Sequence, residues 1–67
     1  LKFLRTLYAD ENKYITNVNH LSESLIVLHC GGGKCGIDDE GVKDLKNLQK
    51  LCCYGNKKIV NFKIKII

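Results

Sequence analysis

The chain has 67 residues, 45% of them hydrophobic and 27% charged, and contains no proline, methionine or tryptophan. That composition supports one small globular domain with a marginal core and excludes a disordered, collagen-like or two-domain chain. No run of about 18 apolar residues occurs, so no membrane span is expected, and no signal-peptide apolar core is present. Leu1 stands where a start methionine would be, which leads us to expect a piece of a longer protein.

The net charge of +4 is uneven. Residues 45–67 hold Lys46, Lys50, Lys57, Lys58, Lys63 and Lys65 with no acid, for +6, which leaves −2 for residues 1–44. A basic end can attract nucleic acid or an anionic membrane, and it can equally keep a strand-rich end from pairing with neighbours. No arginine cluster or nucleic-acid motif accompanies these lysines, so the second reading is preferred and neither a nucleic acid nor a membrane is expected as partner.

Taken in chain order, the first element is a short strand over residues 5–9, where Leu7 and Ala9 alternate with outward residues. Arg5, Thr6, Tyr8, Asp10 and Glu11 occupy its outward positions. Asn12 follows as a turn residue, because its side chain readily bonds nearby backbone. The return from Thr16 to Ser24 has Val18 and Leu21 at i, i+3 spacing but few helix formers, which predicts a 3₁₀ turn. A second strand is expected over residues 26–30, with Leu28 and Cys30 inward and Ile26, Val27, His29, Gly31 and Gly32 outward. The Gly31-Gly32-Gly33 run predicts a wider loop.

The second return, Ile37 to Leu45, has an Asp at the N-cap, acids in the first turn, and Val42 and Leu45 on one face, which predicts a short helix. A third strand is expected over residues 49–53, with Leu51 and Cys53 inward and Gln49, Lys50, Cys52, Tyr54 and Gly55 outward. Beyond Ile59, Val60, Phe62, Ile64 and Ile66 alternate with polar residues, which predicts a last strand.

These elements recur. Residues 1–19 and 45–63 share Leu, Lys, Leu, Leu, Asn, Lys, Ile and Asn at an offset of 44, and a third copy lies between them at offsets of 21 and 23. Each copy reads L-x-x-L-x-(A/C)-x-x-(N/G): Leu4, Leu7, Ala9, Asn12; then Leu25, Leu28, Cys30, Gly33; then Leu48, Leu51, Cys53, Asn56. Ile15, Ile37 and Ile59 close the copies. Like segments more than a dozen residues apart and running the same way predict parallel strands joined by crossovers.

This pattern resembles the leucine-rich repeat, L-x-x-L-x-L-x-x-(N/C)-x-L, with Ala or Cys in place of the third Leu, Gly33 in place of the middle Asn, and a late closing Ile. The segment from Cys35 to Leu45 is similar to the cysteine-containing subclass found in F-box adaptors, and the Asn- and Lys-rich flavour to the leucine-rich-repeat proteins of giant DNA viruses. The resemblance implies an α/β fold: a leucine-rich-repeat solenoid fragment of short parallel strands with short helix or turn returns. It forms one partial domain over residues 1–67, in repeats 1–21, 22–44 and 45–67. The resemblance also implies that Asn12 and Asn56 satisfy turn backbone between repeats, a role Gly33 cannot fill.

Four cysteines, two histidines and one acidic run are the residues capable of chemistry. Cys30, Cys35, Cys52 and Cys53 are open to three readings: free and mostly buried thiols, disulfides, or a metal site. The preferred reading is free thiols in a reducing, cytoplasmic setting, because four residues between Cys30 and Cys35 followed by a vicinal pair fits zinc spacing poorly. His29 and Cys30 are adjacent, and strand neighbours face opposite ways, so they do not make a nucleophile–base pair. Asp38, Asp39 and Glu40 suit a helix N-terminus better than a hard cation, and Gly31-Gly32-Gly33-Lys34 lacks phosphate-loop spacing. No catalytic site, metal or cofactor is expected.

The expected function is a protein–protein interaction through the outward strand positions, which in a row of parallel strands form one continuous face. The candidate contact residues are Arg5, Thr6, Tyr8, Asp10, Glu11, Val27, His29, Gln49, Lys50, Cys52 and Tyr54. The partner would be an unidentified protein, with neighbouring repeats of a longer chain or a second copy covering the ends. A small metal or redox site built on Cys30, Cys35, Cys52 and His29 is the alternative, and nucleic-acid contact through the lysine-rich end is the weaker one.

Overall fold

The computed structural model describes residues 3–60 of the chain. Three strands, β1 (Thr6–Tyr8), β2 (Val27–His29) and β3 (Lys50–Cys52), lie in one sheet in the order β1-β2-β3. Both pairings are parallel, and the register aligns Leu7, Leu28 and Leu51. The first return holds a 3₁₀ turn over Asn19–Leu21, and the second a single helical turn, α1 (Asp39–Val42). The result is a small mixed α/β fold in which three short parallel strands lie side by side, joined by two returns. No helix among the described residues is long and apolar enough to cross a membrane.

The core lies between the sheet and the returns. Leu25, Leu28, Ile37, Leu51, Val18, Val42, Cys30 and Cys35 are fully buried there, while Leu4, Leu7, Ile15 and Cys53 pack against it half-buried. α1 begins where the sequence places it: the Asp38 side chain accepts from the Gly41 amide at 2.8 Å, satisfying one of the donors a helix start leaves open. Gly41 also permits close approach of the two returns. A methyl group there would overlap the Thr16 carbonyl oxygen, and the Val18 amide donates to the Gly41 carbonyl at 2.9 Å.

Each strand ends in the same backbone turn. Glu11, Gly32 and Gly55 occupy equivalent positions and all have positive φ, 60°, 93° and 81°. Two units meet this left-handed demand with glycine, which carries no Cβ penalty, whereas the first meets it with a glutamate. The Glu11 carboxylate compensates by accepting from the Lys34 amide of the next unit at 3.0 Å.

The strands are three residues long rather than the five expected over 5–9, 26–30 and 49–53. The ladder does continue, with the Glu11 amide donating to Gly31 and the Gly32 amide to Tyr54. The Ala9 carbonyl, however, turns to accept from the Asn12 amide and the Cys35 thiol, so the Gly31 amide donates instead to Asp10 Oδ1 at 2.6 Å. A side-chain partner thus replaces that rung between the first two units. Val60 is exposed and outside any strand, and the rest of the alternating segment, residues 61–67, lies outside the described residues.

The middle unit corrects a further expectation. In the third unit, Asn56 is buried, its Nδ2 donates to the carbonyls of Cys30 (2.7 Å) and Ile37 (3.0 Å), and its Oδ1 accepts from the Lys58 amide. In the first unit, Asn12 Oδ1 accepts from the amides of Tyr14 and Ile15. The counterpart in the middle unit is Cys35 and not Gly33: its Sγ donates to the Ala9 carbonyl at 3.3 Å, the contact equivalent to that of Asn56 with Cys30. The glycine run adds two residues before the polar position, and Gly33 itself is exposed with open space around it.

Candidate functional site

The exposed face of the sheet carries the residues that the strand alternation turns outward. Thr6, Val27 and Lys50 form one row, and Tyr8, His29 and Cys52 the next. The Tyr8 and His29 rings stack with centroids 4.4 Å apart at 21°, so the in-register pairing of β1 and β2 makes one aromatic surface from two residues 21 positions apart. Tyr8 and Tyr54 remain largely exposed, at 72% and 93%.

Beyond the strand ends, the turns frame a depression of about 370 Å³ lined by Asp10, Glu11, His29, Cys52 and Tyr54 above a floor of Gly31 and Gly32. Its floor is closely packed backbone. Asp10 is tied to the Gly31 amide, and a side chain at Gly31 would strike the Tyr54 carbonyl. The depression is acidic on the β1 side and aromatic on the β3 side, and each wall comes from a different unit.

Most of the expected contact residues come together. Thr6, Tyr8, Val27, His29, Lys50 and Cys52 share the strand face, and Asp10, Glu11 and Tyr54 stand at its end. Arg5 and Gln49 sit at the entry to the strands, where their backbone joins the ladder to Ile26. Ile26, Val27, His29 and Cys52 are half-buried and Gly31 is buried, so none of them is the freely exposed position that alternation predicts. The sequence reading did not include Lys13, Tyr14 and Lys34, which with Asp10, Glu11 and Asn12 border a second, larger depression of about 690 Å³. Lys13 Nζ lies 5.4 Å from the Tyr14 ring centroid. The signal for Lys34 was present: it follows the glycine loop that the Glu11 turn must meet.

The cysteines divide between the two sides of the sheet. All four are free, with Cys30 and Cys35 buried and Cys52 and Cys53 half-buried. Cys53 is therefore less enclosed than its equivalent Cys30, since no further described unit covers it. Burial pushes the Cys30 thiol from 9.0 up to about 12, with Cys35, Cys53, Asp10 and Cys52 adding to the shift. Burial likewise raises Cys53, helped by Cys52 and Asp39. A thiol held in its protonated form is a poor nucleophile and a poor metal ligand. Among the described residues, no three His, Cys, Asp or Glu side chains are placed to share a metal ion.

The lysine-rich end is partly engaged in the fold. Lys46 pairs with Glu23 at 2.8 Å, and Lys58 Nζ donates to the Cys35 carbonyl at 3.3 Å. Lys63 and Lys65 lie outside the described residues. No protein-family model matches the chain, and no curated protein or solved structure matches it.

Proposed function

We propose that the chain is a leucine-rich-repeat segment that binds a protein partner through the exposed face of its sheet. The repeat reading is supported by a recurring geometry: aligned leucines and a left-handed turn in all three units, and in the second and third a side chain, Cys35 or Asn56, reaching back to a carbonyl of the preceding unit. The binding reading is carried by one observation, the stacked Tyr8–His29 pair that opens onto the depression ending at Tyr54. Tyrosines offer large contact area with few rotors to immobilise, and such anchors carry most of an interface's energy. The glycine floor lets a partner approach the backbone closely, and the acidic rim of Asp10 and Glu11 favours a partner segment bearing lysine or arginine.

The test is affinity capture on two forms of the protein, the wild type and the Tyr8→Ala/His29→Ala double variant. A partner retained by the first and lost by the second, with the urea midpoint unchanged, supports the reading. Equal retention by both rejects it.

A further inference from the structure

The depression at the strand ends draws on all three units: Asp10 and Glu11 from the first, His29, Gly31 and Gly32 from the second, and Tyr54 from the third. The chain carries a net charge of +4, yet two carboxylates and no Lys or Arg line this hollow. Both carboxylates are anchored by backbone. Asp10 Oδ1 accepts from the Gly31 amide at 2.6 Å and Glu11 Oε1 from the Lys34 amide at 3.0 Å, which leaves Oδ2 of the one and Oε2 of the other without a partner among the described residues. Neither carboxylate stands in an ion pair there, whereas Glu23 and Glu40 each hold a lysine. The Glu11 side chain lies across Gly32, where a methyl group would overlap its carboxylate. The other wall is aromatic: His29, stacked on Tyr8 at 4.4 Å and 21°, and the exposed ring of Tyr54.

We propose that this hollow seats the side chain of an arginine carried by a protein partner. The inference rests on the protein-binding reading above and names the group that the site takes. A guanidinium is planar and carries its N–H donors in a fixed fork, so it can stack on an aromatic ring while it donates to carboxylate oxygens. The hollow offers both at once, acceptors on the β1 side and π faces on the β3 side. The glycine floor leaves room for the apolar stem of the side chain to lie against backbone. A lysine ammonium is a compact and strongly hydrated charge, which gains from the carboxylates but little from a flat ring. Because the amides of Gly31 and Lys34 already order the two carboxylates, little side-chain freedom is lost when the cation arrives. The hollow runs on into the strand-face row of Tyr8, His29 and Cys52, so the residues flanking the arginine in a partner chain have a surface to cover.

Nuclear magnetic resonance titration of the isotope-labelled chain tests the site, with a capped glycyl-arginyl-glycine peptide as probe and its lysine and citrulline counterparts as comparisons. The expected result is saturable shifts centred on the amides of Gly31, Gly32 and Tyr54, with a Kd of about 1–10 mM for so small a probe. The lysine peptide should bind about fivefold more weakly, and the planar but uncharged citrulline peptide about tenfold more weakly. Asp10→Asn/Glu11→Gln keeps the oxygens that accept from the Gly31 and Lys34 amides and removes both charges, so it should weaken arginine binding by about tenfold without lowering the urea midpoint. Tyr54→Ala should weaken it by about threefold, and Tyr54→Phe, which keeps the ring, should not. Equal affinity for the arginine and lysine peptides overturns the proposal, as do shifts centred away from the hollow. So does an Asp10→Asn/Glu11→Gln variant that binds arginine as tightly as the wild type. The capture experiment fails separately. A partner lost with Tyr8 and His29 but retained by Asp10→Asn/Glu11→Gln overturns the arginine site and leaves the binding face standing. Arginine-selective shifts at the hollow, in a chain whose captured partner ignores Tyr8 and His29, support the arginine site and reject the wider face.

Discussion

The middle unit and the first unit carry the same pattern of residues in different surroundings. In the middle unit, Leu25, Leu28 and Ile37 are closed in by a unit on either side and are fully buried. In the first unit, Leu4, Leu7 and Ile15 have a described neighbour on one side and remain half-buried, and the left-handed turn falls on Glu11 instead of a glycine. Equal residues therefore do not make equal contributions. In a stack where each unit buries its core against its neighbours, position in the stack sets the worth of each leucine as much as its identity does.

The largest expected effect separates these two units directly. Leu28→Ala should cost about 2–5 kcal/mol, as truncations of fully buried leucines do, and in so small a core this should leave the protein largely unfolded at 25 °C. Leu7→Ala, at the register-equivalent position, should cost less, about 1–2 kcal/mol, because Leu7 is only partly buried against the core. Urea titrations of the two variants check the contrast. Equal losses would mean that the first unit's leucines are covered in solution.

A second contrast concerns the polar side chains that reach back to the preceding unit. Asn56→Ala strands the carbonyls of Cys30 and Ile37 in the core and should cost about 2–3 kcal/mol. Cys35→Ala removes one weak sulfur donor to the Ala9 carbonyl and should cost about 1 kcal/mol, mostly from lost packing. Thermal melts of both variants, read against the wild type, test whether the thiol is a genuine but weaker substitute for the amide.

The effect confined to alkaline pH comes from Cys30, which occupies the position held by Ala9 in the first unit. Its folded-state thiol titrates near 12, well above the 9.0 of an unperturbed thiol, because burial disfavours the thiolate. The unfolded chain therefore releases its proton first as pH rises, and stability present below about pH 9 should fall progressively between pH 9 and pH 12. Cys30→Ala should flatten this part of the decline without changing the profile at neutral pH. Urea midpoints across that range provide the measurement. An unchanged alkaline slope in the variant would assign the decline to other groups.

Local pattern was a good guide wherever a residue's role depends on its near neighbours. The spacing of Leu4, Leu7, Leu25, Leu28, Leu48 and Leu51 places the three strands and their parallel register, because alternation and repeat period survive in one dimension. Asp38 caps α1 as expected, and the sparse first return forms the 3₁₀ turn at Asn19–Leu21. The assignment of Gly33 failed for a definite reason: counting from Cys30 assumes equal turn lengths, and the glycine run lengthens this one by two residues before Cys35 takes the polar position.

By itself, then, the sequence determined the alternation of inward and outward residues, the parallel register of the three strands, and the helix and 3₁₀ propensities of the two returns. All of these follow from side-chain chemistry acting over a few positions. Only the tertiary structure decided which carbonyl each Asn or Cys would satisfy, that Tyr8 would stack on His29, that Cys53 would be more open than Cys30, and that one end of the core would be left half-covered. Those outcomes depend on what lies in the next unit across a gap of some twenty residues. Burial and hydrogen-bond satisfaction there are properties of pairs of surfaces, and a linear pattern specifies only one member of each pair at a time.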